Sequence, residues 1–218
     1  MQQGNQVHTP LKKLVVASHN QGKVREIHAL LEPYGIEVFT ASDLGLADPE
    51  ETGNTFAANA ELKAKLAADA AGMAALSDDS GLAVDALGGA PGIYSARWAE
   101  DAECADGVRD FSMAMEKIHN KMQAAGGPDT ARFICALSLA FPSGDVHTYE
   151  GKVEGRMVWP PRGDKGFGYD PVFVADGDTQ TFAQIDPEEK HAKSHRADAF
   201  TKFIKAWFPQ DQPNQPGQ

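Results

Sequence analysis

Hydrophobic and polar positions alternate along this chain with two spacings, one typical of strands and one typical of helices. Residues 12–17 form a short apolar run that predicts a strand. After a polar turn, Val24, Ile27 and Leu31 recur at helical spacing and predict a helix that ends before Pro33. The same patterns predict further strands over residues 36–39, 131–141, 146–155 and 171–175, and further helices over residues 55–71, 108–125 and 200–208.

The order of these elements indicates the fold class. Strands and helices alternate in the first half, and residues 142–145 carry a turn signal between two strands that would pair antiparallel. An α/β protein with a mixed sheet is therefore expected. Residues 1–10 are polar and residues 209–218 are rich in Pro and Gln, so both segments are predicted to be disordered, on either side of a single domain over residues 11–208.

The composition excludes several classes of protein. With 218 residues, of which 42% are hydrophobic, the chain can bury a substantial core. Its 31 acidic residues outnumber the 20 basic ones, and the formal net charge of −11 repels nucleic acids and anionic membranes. A small anionic ligand must therefore be met by lysines and arginines placed locally.

Neither the apolar runs nor the cysteines indicate a membrane or an oxidising compartment. No apolar run approaches the ~20 residues needed to cross a bilayer, and residues 1–10 lack the hydrophobic segment of a signal peptide. The two cysteines, Cys104 and Cys135, lie far apart, and Cys135 is expected to be a small buried hydrophobe. We therefore expect a cytoplasmic protein without nucleic-acid or membrane partners.

The most informative polar segment is Asp78-Asp79-Ser80-Gly81, which follows a short apolar stretch and predicts a tight turn. Adjacent carboxylates on a rigid turn suit a magnesium-type ion, which usually shares its coordination with phosphate oxygens. A carboxylate beside such an ion can also orient or deprotonate water. Taken alone, however, the same residues are ordinary in a turn.

The turn at residues 18–23 (SHNQGK) leads from the first strand into the first helix. A helix N-terminus presents free N–H groups that hold anions, and Lys23 adds a full positive charge. The spacing is not that of a Walker loop. Alternatively, Ser18 or Asn20 only caps the helix, and both explanations stay open at this point.

Three further polar segments are candidates for the same site, and each also has an ordinary structural explanation. Glu50 and Glu51 precede a helix, where acids are common, or else one of them is a metal ligand paired with an aspartate. Residues 167–171 (FGYDP) offer aromatic faces for stacking on a base, or a hydrophobic anchor ahead of a strand. Residues 194–196 (SHR) offer donors that distinguish a carbonyl from an amino group, or a helix cap followed by solvated side chains.

Together and in this order, the motifs resemble those of the Ham1 family, the noncanonical purine nucleoside triphosphate pyrophosphatases, also called inosine/xanthosine triphosphate diphosphatases. The motifs that carry the resemblance are Ser18-His19-Asn20-Gln21-Gly22-Lys23, Glu50-Glu51-Thr52-Gly53, Ser77-Asp78-Asp79-Ser80-Gly81-Leu82, Gly88-Gly89-Ala90-Pro91-Gly92-Ile93-Tyr94-Ser95-Ala96-Arg97, Phe167-Gly168-Tyr169-Asp170-Pro171 and Ser194-His195-Arg196. The resemblance extends from about residue 14 to residue 207.

This resemblance implies a fold, an activity and a set of partners. The fold is an elongated α/β structure, a mixed sheet flanked by helices, with two lobes and a central nucleotide-binding cleft. The activity is magnesium-dependent hydrolysis of ITP, dITP and XTP to the monophosphate and pyrophosphate, which removes deaminated purines from the nucleotide pool. The resemblance also implies a homodimer.

The resemblance further implies roles for individual residues. Asp79 would be the catalytic base, and Glu50 and Asp79 would hold Mg²⁺. The residues expected to bind the substrate are Ser18, His19, Asn20, Gln21, Gly22, Lys23, Ser80, Phe167, Gly168, Tyr169, Asp170, Lys190, His195 and Arg196. Residues 18–23 would surround the triphosphate, and His195 and Arg196 would lie near the base.

Two alternatives stay open. Maf-like proteins, which act on modified pyrimidine nucleotides, share the general architecture but are not expected to carry the SHR and FGYD motifs together. A catalytically silent nucleotide-binding protein is expected to have lost charged groups such as Lys23, Glu50, Asp78 and Asp79, all of which are present.

Overall fold

Six strands and five α-helices make up the part of the chain described by the computed structural model, residues 11–100 and 109–208. The strands are β1 (Lys13–Val16), β2 (Glu37–Thr40), β3 (Ala75–Val84), β4 (Thr130–Ala140), β5 (Val146–Met157) and β6 (Phe173–Ala175). The helices are α1 (Gln21–Leu31), α2 (Phe56–Ala71), α3 (Phe111–Ala125), α4 (Pro187–Lys193) and α5 (His195–Trp207). The segments predicted to be disordered (1–10 and 209–218), Cys104 and the first residue of the predicted helix 108–125 lie outside the described residues.

The strands form one sheet that is parallel at one end and antiparallel over the rest. In the order β2-β1-β3-β4-β5-β6, β1 runs parallel to both of its neighbours, and each later pair is antiparallel. The strands β3, β4 and β5 have 10, 11 and 12 residues and make a long ribbon. The predicted mixed sheet is therefore confirmed, and the turn between β4 and β5 is closed by a hydrogen bond from Phe141 N–H to Asp145 O at 3.0 Å.

The hydrophobic core divides into parts that define two lobes. In the first lobe, α1 and α5 pack around Leu14 of β1, with Ile27 and Phe203 fully buried. An alanine-rich layer joins α2 to the other face of β1. In the second lobe, α3 and β6 pack around Ile118 and Phe173, which are also fully buried. The long ribbon connects the two lobes.

The aspartate pair does not lie in a tight turn, so this prediction is wrong. Asp78 and Asp79 lie in the middle of β3, opposite Leu137 and Ala136 of β4. The turn preference of Asp and Ser is overridden because all of β3 pairs with β4, which satisfies its backbone groups. Successive strand side chains point to opposite faces, so the two carboxylates face different sides of the sheet.

Two elements near the C-terminal motifs also differ from the predictions. The predicted strand over residues 171–175 is shorter, because Pro171 has no N–H for the ladder and lies in a 3₁₀ turn, Asp170–Val172, that precedes β6. The helix α4 was not predicted. Pro187 occupies its first turn, where the fixed φ of proline favours a helix start.

Candidate active site

A cleft of about 510 Å³ is lined by residues of both lobes. It contains most of the residues that the sequence predicted for the site. These are Ser18, His19, Asn20, Lys23, Glu50, Asp79, Ser80, Phe167, Gly168, Tyr169, Asp170, Lys190, His195 and Arg196. The two other predicted residues, Gln21 and Gly22, belong to the first turn of α1 and do not line the cleft.

The turn between β1 and α1 brings Asn20 and Lys23 to the cleft. Asn20 caps the helix, because its Oδ1 accepts hydrogen bonds from Gly22 N–H at 2.9 Å and from Lys23 N–H at 3.2 Å. Ser18 Oγ in turn accepts a hydrogen bond from Asn20 N–H at 3.2 Å. Asn20 therefore caps α1, and both Ser18 and Asn20 also line the cleft.

Asp78 lies at the centre of a buried group of charges on one face of β3. Its Oδ2 lies 3.2 Å from Lys23 Nζ of α1 and 3.0 Å from Arg196 Nη2 of α5. Ser80 Oγ donates to the same oxygen at 3.0 Å and accepts from Arg196 Nη2 at 3.0 Å. Burial would raise the pKa of Asp78, but the charges of Lys23 and Arg196 outweigh it and hold this pKa well below its ordinary value.

Glu26 of α1 extends this group of charges to α4. Its carboxylate is bonded to Arg196 Nη1 and lies 3.2 Å from Lys190 Nζ. Lys190 Nζ also lies 2.7 Å from Asp170 Oδ2 and 4.6 Å from the centre of the Phe167 ring. Burial would raise the pKa of Glu26, but the charges of Arg196 and Lys190 lower it. The floor of the cleft is therefore held in place by ion pairs between several elements.

Asp79 faces the other side of β3, toward α2. Its Oδ2 accepts a hydrogen bond from Asn59 Nδ2 at 3.1 Å, and its Oδ1 lies 3.9 Å from Lys63 Nζ. Lys63 Nζ also lies 2.6 Å from Glu51 Oε1. Burial raises the pKa of Asp79, the negative charge of Glu51 adds to that, and Lys63 opposes both. The result is a raised pKa, which suits a proton acceptor better than that of an ordinary aspartate.

His195 and Arg196 line the aromatic end of the cleft, and each has one buried polar atom that lacks a hydrogen-bond partner, Nδ1 and Nε respectively. The His195 ring stacks on Phe133 with 5.0 Å between ring centres and 16° between planes. Tyr169 O–H donates to Ser95 O at 2.8 Å, which anchors the segment at residues 167–171. Burial, with the charges of Arg196 and Lys190, lowers the pKa of His195 well below its ordinary value, so its imidazole is neutral.

Sequence reasoning missed Glu26, Asn59 and Lys63 and left the role of Glu51 open. Asn59 and Lys63 lie four residues apart, so they share a face of α2 with the buried alanines. Glu26 likewise lies next to Ile27 on the buried side of α1. Polar residues on the apolar face of a helix were the available signal, because such residues stay buried only when they have partners.

Residues 11–100 and 109–208 contain neither a preformed cluster of metal ligands nor a membrane-spanning helix. In these ranges no three or more His, Cys, Asp or Glu side chains are grouped so that they could hold a metal ion. No helix there has the length and apolar character needed to cross a bilayer.

Comparison with known proteins agrees with the sequence motifs. The family model described as "Ham1 family" matches residues 14–206. A protein of Zymomonas mobilis subsp. mobilis named dITP/XTP pyrophosphatase is 55% identical over 196 residues, which cover 89% of this chain and 91% of that protein. A protein of the same name from Rhizobium meliloti is 55% identical over 206 residues, with 89% and 95% covered.

Solved structures give the same answer. A structure of a HAM1 protein from Coxiella burnetii superposes with a TM-score of 0.79 at 36% identity and covers 88% of this chain and 96% of its own. The elongated mixed-sheet architecture is therefore the one that this family uses. The family match over residues 14–206 and the extent of these identities show that the chain belongs to the Ham1 family.

Proposed function

We propose that this protein hydrolyses ITP, dITP and XTP to the monophosphate and pyrophosphate. The names of the relatives support this activity. The observation that carries it is one cleft in which Lys23, Asp79 and Arg196 meet. Lys23 supplies positive charge for phosphate, Asp79 supplies a proton acceptor, and Arg196 supplies donors for a base.

Selection of the base rests on the atoms that the protein leaves unpaired. The two Nη atoms of Arg196 bond Glu26, Asp78 and Ser80, which leaves its buried Nε–H without a partner. Binding of the nucleotide would have to expose this N–H, and the C6 carbonyl of hypoxanthine or xanthine would then accept from it, whereas the amino group of adenine would not. A mispaired buried polar group costs roughly 1–3 kcal/mol, so several such contacts together give strong selectivity. Guanine shares the C6 carbonyl, and its exclusion requires another contact.

The donors near Asp79 fit Mg²⁺. This ion prefers carboxylate oxygens and is held by one or two of them together with water and substrate phosphates. Asp79 lines the cleft with both Glu50, which is exposed, and Glu51, whose carboxylate is bonded to Lys63. We propose Asp79 as one ligand and a glutamate of this pair as the other. When bound, the ion would neutralise phosphate charge and make an adjacent water more acidic.

The residues of the chain then perform a hydrolysis that needs mainly positioning and charge neutralisation. Asp79 takes a proton from water as the water oxygen bonds to the α-phosphorus and pyrophosphate leaves with the bridging oxygen. Lys23 and Lys63, both at the cleft, offset the negative charge of the phosphates. Phe167 stacks on the base, and its ring is held beside Lys190.

The homodimer is part of this proposal. The homodimer rests on the family resemblance alone. The cytoplasmic location, also proposed, rests on the resemblance and on the low cysteine content. Light scattering of the purified chain of 23.4 kDa tests the homodimer, since a dimer has twice that mass. A monomer at working concentrations contradicts this part and leaves the chemistry unaffected.

The proposal is tested by pyrophosphate release from ITP, dITP, XTP, GTP and ATP, each with and without Mg²⁺. We expect kcat/KM for the first three substrates to exceed those for GTP and ATP by roughly 100-fold or more, as several mispaired contacts predict. We also expect activity to require the ion. A preference for ATP or GTP, or release of single phosphates, contradicts the proposal.

A further inference from the structure

Asn59 connects Asp79 with the acidic loop at residues 50–54. Its side chain is on α2 and is only 2% exposed. Its Nδ2 donates to Asp79 Oδ2 at 3.1 Å, and its Oδ1 accepts a hydrogen bond from Gly53 N–H at 2.8 Å. One end of the amide is therefore bonded to Asp79, which lines the cleft, and the other end to the backbone of the loop that carries Glu50 and Glu51, which also line it.

The contact between Gly53 and Asn59 leaves no room for a side chain at position 53. A Cβ at this position would lie 2.6 Å from Asn59 Oδ1 and 2.9 Å from Asn59 N, closer than any side chain tolerates. The backbone of the loop therefore lies directly against the amide. A glycine here allows the loop to approach α2 closely enough to place Glu51 beside Lys63.

A second hydrogen bond, from the other lobe, holds the same loop. Arg97 Nη2 donates to Glu51 O at 2.8 Å, and the guanidinium lies 5.4 Å from the centre of the Tyr94 ring. The acidic loop is thus held at two backbone groups, the Glu51 carbonyl and the Gly53 N–H. Only the hydrogen bond at Gly53 is made by a side chain that also bonds Asp79.

The chemistry of the amide explains why this position needs Asn. Aspartate keeps the acceptor for Gly53 but loses the donor and sets a second carboxylate against Asp79. Leucine loses both bonds, and glutamine is one methylene too long for a gap this close. An amide of this length alone offers a donor at one end and an acceptor at the other.

We propose that Asn59 is a positioning residue for the reaction, which fixes the Asp79 carboxylate and the acidic loop in one relative placement. The bond to Oδ2 sets the rotation of the carboxylate, so that Oδ1 keeps its position near Lys63. This inference rests on the proposed function. Its consequence is selective, because a carboxylate misplaced by about 1 Å costs roughly 100-fold in the chemical step without a matching loss of substrate binding.

The test compares Asn59→Asp with Asn54→Asp, a matched control that makes the same change at an exposed residue of the same loop. The readouts are kcat and KM for ITP, the affinity for α,β-methylene-ITP by calorimetry, and the melting temperature. For Asn59→Asp we expect kcat to fall by roughly 100-fold, with KM and analogue affinity within about threefold of wild type. For Asn54→Asp we expect every value to stay within about threefold.

Two results overturn the proposal: an Asn59→Asp variant with unchanged kcat, or one whose kcat, analogue affinity and melting temperature fall together. If Asn59→Asp does not fold, Gly53→Ala answers instead, because its Cβ displaces the amide. It should show the same loss of kcat with retained analogue affinity, and normal turnover would overturn the proposal. Wild-type turnover of ITP, measured in parallel, separates this failure from failure of the proposed function.

Discussion

Asp78 and Arg196 form an ion pair that is buried completely, with Arg196 Nη2 3.0 Å from Asp78 Oδ2 across 118 positions of sequence. The pair joins the middle of β3 to the start of α5. Lys23 approaches the same aspartate oxygen, so the candidate phosphate end and the candidate base end of the cleft share one carboxylate. Asp78 is therefore the residue that links the two ends of the cleft by direct contacts.

The first prediction concerns how Arg196 reads the base. Arg196→Ala would break the ion pairs of Arg196 with the buried Glu26 and Asp78, which costs roughly 3–5 kcal/mol and confounds any kinetic result. Arg196→Lys keeps a positive charge but removes the Nε–H donor. We expect the ratio of kcat/KM for ITP to that for ATP to fall by roughly tenfold. Steady-state kinetics with both substrates measures this ratio.

The control for this substitution is Arg132→Lys, at a partly exposed arginine that pairs with Asp85 and Glu154 outside the cleft. It should leave the ITP/ATP ratio unchanged. A ratio that also stays unchanged in Arg196→Lys would place base recognition at another residue.

The second prediction concerns the proton acceptor. We expect Asp79→Asn to fold normally and to lose roughly 100- to 10,000-fold in kcat, the usual contribution of a general base. The exposed Asp176→Asn serves as a control of the same chemistry. Steady-state hydrolysis at saturating ITP gives kcat directly. Turnover near the wild-type rate would mean that another group takes the proton.

The sequence predicted helices and strands correctly where the local hydrophobic pattern and the tertiary contacts favour the same structure. The helix predicted over residues 55–71 is α2, Phe56–Ala71, which starts after the Thr55 cap and ends at Gly72 in the left-handed region at φ 62°. Cys135 is buried as expected, and burial raises the pKa of its thiol to about 12. The wrong turn at Asp78-Asp79 arose because strand pairing over the whole of β3 depends on β4, which local residue preferences do not describe.

The sequence likewise predicted only part of the site, because motifs indicate which residues belong to it and not which residues contact each other. Most of the site residues predicted from the motifs line the cleft, but motif order did not show which of them bond each other. Lys23 and Arg196 were expected at opposite ends of a substrate, yet both bond Asp78. Asn59 and Lys63 lie within a helix whose other buried residues are alanines, and only their partners on β3 and in the acidic loop explain them.

The third prediction concerns the metal. The family resemblance implies Glu50 as the partner of Asp79, whereas, beyond burial, it is the negative charge of Glu51 that raises the pKa of Asp79, and the Glu51 carboxylate is bonded to Lys63. We expect Glu51→Gln to raise the Mg²⁺ concentration for half-maximal activity by roughly tenfold or more, and by more than Glu50→Gln does. Magnesium titrations of both variants measure it. The reverse order of effects would identify Glu50 as the ligand.

The fourth prediction concerns the pH dependence of stability. Burial, together with the charges of Arg196 and Lys190, lowers the pKa of His195, so the folded protein keeps it neutral where the unfolded chain binds a proton. Below the unfolded pKa of about 6.5, the free energy of unfolding should therefore fall by up to about 1.4 kcal/mol per pH unit. Above that pH this contribution is fully present.

Urea unfolding at about pH 7.5 and about pH 5.5, on either side of the unfolded histidine pKa, measures the effect. Wild type should lose about 1 kcal/mol more than His195→Gln between the two conditions, since glutamine does not titrate. Equal losses in both proteins would show that His195 binds its proton in the folded state as well.

The central claim is that one nucleotide contacts Lys23, Asp79 and Arg196 at the same time. The most direct measurement is a crystal structure of the protein with α,β-methylene-ITP and Mg²⁺. We expect the phosphates to lie beside Lys23, the α-phosphorus to lie within reach of a water held by Asp79, and the C6 carbonyl to accept a hydrogen bond from Arg196 Nε–H. A ligand that contacts these residues on separate surfaces, or a base that faces away from Arg196, would contradict it.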